Sequence, residues 1–69
     1  MLTLSQQLRR DSCAYNLSKA RFYLKLDKVW AGYYMGMAKQ IARDSMDEMT
    51  EIQVDAVVDN LWNRAHRLA

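Results

Sequence analysis

The sequence predicts an all-α fold, a small three-helix bundle built from two long helices and a C-terminal helix. The chain has no proline and only two glycines, so few of its residues interrupt a helix. Its apolar fraction of 51% supplies enough hydrophobic surface to offset the entropy of ordering the chain. Apolar residues recur at helical spacing in segments of about 3–26, 28–44 and 50–68. We expect a single domain, 1–69, whose small core is completed by oligomerisation.

The first segment, about 3–26, has apolar residues on two nearly opposite sides of a helix. Such a helix is either sandwiched between neighbours or packed against another chain. We expect Tyr15 and Phe22 to lie at a self-association seam. Asn16 and Ser18 leave open a break in this helix, since their side chains compete for backbone hydrogen bonds. One side carries Leu4, Leu8, Tyr15, Phe22 and Leu26, and the other carries Cys13, Leu17, Ala20 and Leu24.

Two apolar strips also run along the second segment, 28–44, which Asp27 can cap. The aromatic strip is predicted to be core, and the strip of mostly small residues is predicted to let another helix approach closely. Met35, in the smaller strip, is a candidate for partner contact. Gly32 and Gly36 have GxxxG spacing on the polar side, which predicts a solvated face. The aromatic strip is Trp30, Tyr33, Tyr34, Met37 and Ile41; the smaller strip is Ala31, Met35, Ala38 and Ala42.

The third segment has the most regular pattern. Thr50 and Gln53 fit a capping box at its start. Trp62 lies at the margin of the core stripe, where a tryptophan either seals the core or anchors a partner. Asp55 and Asp59 lie along the same edge, and we expect all three residues to contact a partner. The stripe itself is Val54, Val57, Val58, Leu61, Ala65 and Leu68.

Charge is distributed unevenly along the chain. Residues 1–43 hold eight lysines and arginines against two aspartates, a net +6, whereas residues 44–69 hold two arginines against six acids, a net −4. This asymmetry either marks a charged partner or reflects pairing of basic and acidic helices within the fold or across a dimer. Four basic residues are assigned to one side of the first helix as candidate phosphate contacts: Arg10, Arg21, Lys25 and Lys28.

The sequence offers no convergent set of catalytic residues, so we expect a protein that is not an enzyme. Cys13 is the only cysteine and lies on an apolar strip, and His66 is the only histidine. A single chain therefore cannot assemble a His/Cys metal cluster, and we expect no metal or cofactor. Without an apolar run of roughly 20 residues or a recognisable export signal, we expect no membrane insertion and a cytoplasmic location.

Surplus aromatic residues and methionines, with two-sided apolar helices, predict a protein-interaction module that regulates or inhibits another protein. Residues 44–59 form an acidic block without a lysine or arginine, which would suit a basic target such as a DNA-binding protein. The chain would then resemble in role a phage or mobile-element antirepressor or host-enzyme inhibitor. The alternative is a nucleic-acid-binding transcriptional regulator that uses the basic helix face. Against this alternative, a helix-turn-helix alignment puts Met46 where glycine is usual, and acids on the would-be recognition helix.

Overall fold

A computed structural model describes residues 3–68, except the side chain of Leu68, and confirms the all-α three-helix fold. The helices are α1 (Leu4–Tyr23), α2 (Lys28–Asp44) and α3 (Glu48–Leu68). Neighbouring helices run antiparallel: Cys13 and Tyr23 of α1 contact Ala38 and Tyr34 of α2 in reverse order. Gly32 and Lys39 of α2 likewise lie against Trp62 and Asp55 of α3 in reverse order. The bundle is elongated, with extents of 40 × 16 × 16 Å.

Helix α1 is continuous through Asn16, whose side-chain Nδ2 donates to the carbonyl of Ser12 at 2.8 Å. A capping box between Thr3 and Gln6 starts this helix. The helix ends at Tyr23 rather than at residue 26, and the amides of Leu24 and Leu26 donate to carbonyls three residues earlier instead of four. The chain reverses direction in this turn before α2 begins at Lys28.

The start of α2 matches the sequence prediction, and the start of α3 does not. The Asp27 carboxylate accepts from the amides of Val29 and Trp30, at 2.9 and 3.4 Å, as an N-cap does. At α3 the predicted Thr50 capping box is wrong. Asp47 caps the helix instead by accepting from the amides of Met49 and Thr50, so α3 begins at Glu48.

The helices are packed through small side chains, which confirms the close approach predicted for the smaller strip of α2 and corrects the prediction that its aromatic strip is core. Its buried residues are those of the smaller strip, Ala31, Met35, Ala38 and Ala42, whereas Trp30, Tyr33 and Met37 are exposed. Alanine side chains allow the α1 backbone to approach α2 more closely than a row of rings would. The helices therefore pack more tightly when this strip is buried. On α3 the predicted core stripe is confirmed for Val54, Val58, Leu61 and Ala65, with Val57 half-buried; the side chain of Leu68 lies outside the described residues.

Candidate functional site

Five aromatic rings lie against one another where the turn between α1 and α2 brings the two helices together. We call this group the aromatic face: Phe22, Tyr23, Trp30, Tyr33 and Tyr34. Tyr23 of α1 stacks on Tyr34 of α2, with ring centroids 5.6 Å apart and planes 9° apart. Phe22 meets Tyr23 edge-on at 5.1 Å, and Tyr33 meets both Trp30 and Tyr34 edge-on at 5.6 and 5.3 Å. These stacked and edge-on geometries are the ones that aromatic pairs favour.

The aromatic face is largely outside the core. Phe22 retains 63% of its surface, Tyr33 54% and Trp30 50%. Only Tyr23 and Tyr34, at the α1–α2 junction, are half-buried and packed against the core. A contiguous group of large rings that stay exposed without filling the interior is typical of surfaces that bind other molecules.

Of the residues predicted to bind a partner on α3, Trp62 and Asp59 are exposed. Asp55 is half-buried and forms an ion pair with Lys39 of α2, with 3.4 Å between Nζ and Oδ1. The indole of Trp62 lies beside Gly32, so it covers the α2–α3 junction while 43% of its surface stays exposed. We call the predicted site on α3 the α3 ridge: Asp55, Asp59 and Trp62. The negative charge of Asp55 in this ridge is offset by Lys39 of α2.

The structure does not fit the prediction that Met35 contacts a partner. Met35 is only 2% exposed and is among the largest fully buried side chains of the described residues. It lies among the alanines of α2, where it fills space between the helices. A partner cannot reach it in the folded chain.

The prediction that the four basic residues share one side of a single helix is wrong. Helix α1 ends at Tyr23, so Lys25 lies in the following turn and Lys28 begins α2. Arg10 is occupied within the fold, since its Nη2 lies 3.2 Å from Asp47 Oδ2 and its Nε donates to Thr50 Oγ1 at 3.1 Å. Arg21, Lys25 and Lys28 remain exposed. In the sequence, Arg21 directly precedes Phe22, and Lys25 and Lys28 lie between Tyr23 and Trp30.

Asp47 holds the start of α3 against α1, and its environment favours the charged form. Its carboxylate accepts a 2.7 Å hydrogen bond from the Thr50 hydroxyl, together with bonds from the Thr50 amide and Arg10. These bonds, with the Thr50 hydroxyl first, lower the pKa of Asp47 below its ordinary value of 3.8. The Arg10–Asp47 ion pair therefore links α1 to the cap of α3 within the fold.

Replacing Asp47 with Asn is expected to reduce the loss of stability in acid. Because the pKa of Asp47 is lower in the folded state than in the unfolded chain, its charge stabilises the fold above pH 3.8. That contribution disappears as the pH falls through the folded-state pKa. Asn keeps a capping oxygen but cannot titrate. Between neutral pH and a pH below 3.8, the urea midpoint should therefore fall further for the wild type than for Asp47→Asn. An equal fall in the two proteins would contradict the assignment. Asp59→Asn, at an exposed position, is the matched control.

Cys13 is buried between α1 and α2, where its thiol donates to the Ala38 carbonyl with 3.5 Å between Sγ and O. Burial raises the pKa of this thiol, which favours the uncharged, unreactive form. Cys13 also borders a cleft of about 190 Å³ between α1 and α3, floored by apolar side chains such as Leu17 and Val57. The position of Cys13 is that of a structural thiol.

Comparison with known protein families, with curated proteins and with solved structures gives no significant match. None of the described helices, α1 to α3, contains a stretch long and apolar enough to cross a lipid bilayer.

Proposed function

We propose that this chain is a non-catalytic protein-interaction module, acting in the cytoplasm, that regulates or inhibits another protein by covering part of its surface. The observation that carries the proposal is the exposure of Trp30 and Tyr33 within a set of mutually packed rings. Tryptophan and tyrosine dominate binding energy at protein interfaces, where a few fixed rings fill pockets on the partner.

Several features support the aromatic face as the contact surface in preference to the α3 ridge. Its rings come from two helices and support one another, so little side-chain entropy is lost on binding. Met37, on the same side of α2 and 40% exposed, adds an adaptable apolar side chain at its border. The α3 ridge offers a second, acidic contact through Trp62 and Asp59, which would suit a basic target such as a DNA-binding protein.

The proposal is tested by capture from an extract of the native host, followed by affinity measurement with the purified partner. The variant Trp30→Ala with Tyr33→Ala is expected to weaken binding by about tenfold or more, because it removes two anchoring rings. Asn63→Ala, an exposed change on α3, is the neutral control. Far-UV circular dichroism should show that both variants remain helical.

Trp62→Ala with Asp55→Ala provides the comparison between the two surfaces. If this variant alone loses the partner, the contact surface lies on α3, and the assignment to the aromatic face is wrong. If neither double variant changes the affinity of a captured protein, that protein does not use either surface and gives the proposal no support. A chain that captures nothing would count against an interaction role altogether.

A second candidate function, nucleic-acid binding, is favoured by one observation. Arg21, Lys25 and Lys28 are exposed and flank Phe22 and Trp30 in sequence, and basic residues beside aromatic rings are typical of single-strand binding surfaces. The antiparallel packing of α2 on α3 differs from the steeply crossed helices of a helix-turn-helix. Salt-sensitive retention on heparin and binding to arbitrary single-stranded DNA would support this alternative.

A further inference from the structure

Helix α1 has an apolar row on the side opposite the core, while its buried side carries Cys13, Asn16 and Ala20. Leu8, Tyr15 and Phe22 recur every seven residues, which is the spacing of inward positions in paired helices. Leu4, four residues before Leu8, occupies the second inward position of this seven-residue repeat. All four are exposed in the single chain. We call this row the α1 seam: Leu4, Leu8, Tyr15 and Phe22.

The charges on this side of α1 distinguish between the two directions in which a second helix could lie. Asp11 lies on the same side of α1, between Leu8 and Tyr15 and at the heptad position of Leu4, and accepts a hydrogen bond from Gln7 Nε2 at 3.1 Å. Lys19 borders the seam, with its Nζ 5.7 Å from the centre of the Tyr15 ring. A negative group therefore lies near the middle of the seam, and a positive group lies beside its central ring.

A parallel pair of identical helices would place each residue of the seam beside its own copy. Asp11 would then face Asp11 in an apolar contact, where like charges repel strongly. An antiparallel pair brings the two kinds of inward position against each other. Asp11 then faces Tyr15 of the second copy and the Lys19 ammonium that lies over that ring. Two-fold symmetry forms this contact twice.

We propose that the α1 seam binds a second copy of this chain in antiparallel orientation. In this dimer Leu4 of each copy packs on Phe22 of the other, and Asp11 of each copy pairs with Tyr15 and Lys19 of the other. The inference goes beyond the proposed function, because it assigns a different face and a different occupant. The seam and the aromatic face share only Phe22, whereas Asp11 and Lys19 lie outside the aromatic face.

Sedimentation equilibrium of charge-reversed variants tests both the dimer and its direction. The wild type is expected to be a dimer. Asp11→Lys and Lys19→Asp each replace two attractive contacts with two repulsive ones, so each should raise the dissociation constant by at least about tenfold. Combining the two substitutions restores opposite charges and should restore association. Asp11 and Lys19 lie on the outer side of α1, so circular dichroism should show the variants folded.

Each other outcome overturns the proposal. A wild-type chain that stays monomeric at high concentration would show that the seam does not bind a second copy. A dimer that tolerates both single substitutions would place the interface elsewhere. A dimer that the single changes dissociate and the double change does not restore would exclude the antiparallel arrangement. Capture of another protein through Trp30 and Tyr33 is independent of all three results.

Discussion

Met35→Ala is expected to lower the free energy of unfolding by about 2 to 5 kcal/mol, the range measured when large apolar core side chains are truncated. Met35 is almost completely buried, so its loss leaves a cavity between helices that are already in close contact. Small single-core domains rarely have more than about 3 to 5 kcal/mol of stability. A large fraction of the variant should therefore be unfolded at room temperature, as measured by circular dichroism and urea titration.

Met37→Ala is the matched control, because it makes the same substitution two residues further along the same helix. Met37 is 40% exposed, and substitutions at such surface positions usually change stability by about 0.5 kcal/mol or less. Both variants should be compared at one protein concentration, since self-association would add to apparent stability. Equal effects of the two substitutions would show that α2 does not bury the side on which Met35 lies.

Ala38→Leu is expected to destabilise the fold by about 1 to 3 kcal/mol, because it adds three carbon atoms where no space exists. Ala38 has no exposed surface, and its carbonyl accepts the Cys13 thiol hydrogen bond from α1. The larger side chain must push α1 away from α2 or adopt a strained rotamer. Thermal unfolding should show a lower midpoint for this variant.

Ala56→Leu serves as the control for Ala38→Leu. Ala56 is exposed on α3, and leucine and alanine have similar helix propensities, so this change should leave the midpoint nearly unchanged. If Ala38→Leu proved as stable as Ala56→Leu, the close approach of α1 and α2 through alanine would be disproved.

Local patterns in the sequence were sufficient for the helices themselves. The absence of proline and the helical spacing of apolar residues predict three helices, as observed. Asp27 is predicted as a cap because it directly precedes an apolar periodic segment, and the structure confirms it. The α3 core stripe was equally clear, since only one side of that helix carries several large aliphatic residues. The cap of α3 was missed because Thr50 and Gln53 also fit a capping pattern, while Asp47 is the residue that precedes the helix.

The choice between two apolar strips could not be made from hydropathy alone. Both strips of α2 are apolar, and the aromatic one is larger, but α1 and α2 pack through the strip with the smaller side chains. The alanine spacing at 31, 38 and 42 predicts the close approach of another helix, but it does not by itself indicate that the aromatic strip stays outside the core. The Arg10–Asp47 pair joins residues far apart in the chain, so local pattern reasoning could not have found it.

The exposure of both tryptophans has a practical consequence for anyone who studies this molecule by optical spectroscopy. Trp30 and Trp62 each keep roughly half of their surface in water, and neither is part of the buried core. Intrinsic fluorescence should therefore change only modestly when the chain unfolds, yet shift to shorter wavelength when a ligand covers either indole. The native emission spectrum should thus report surface occupancy rather than folding, without an attached dye.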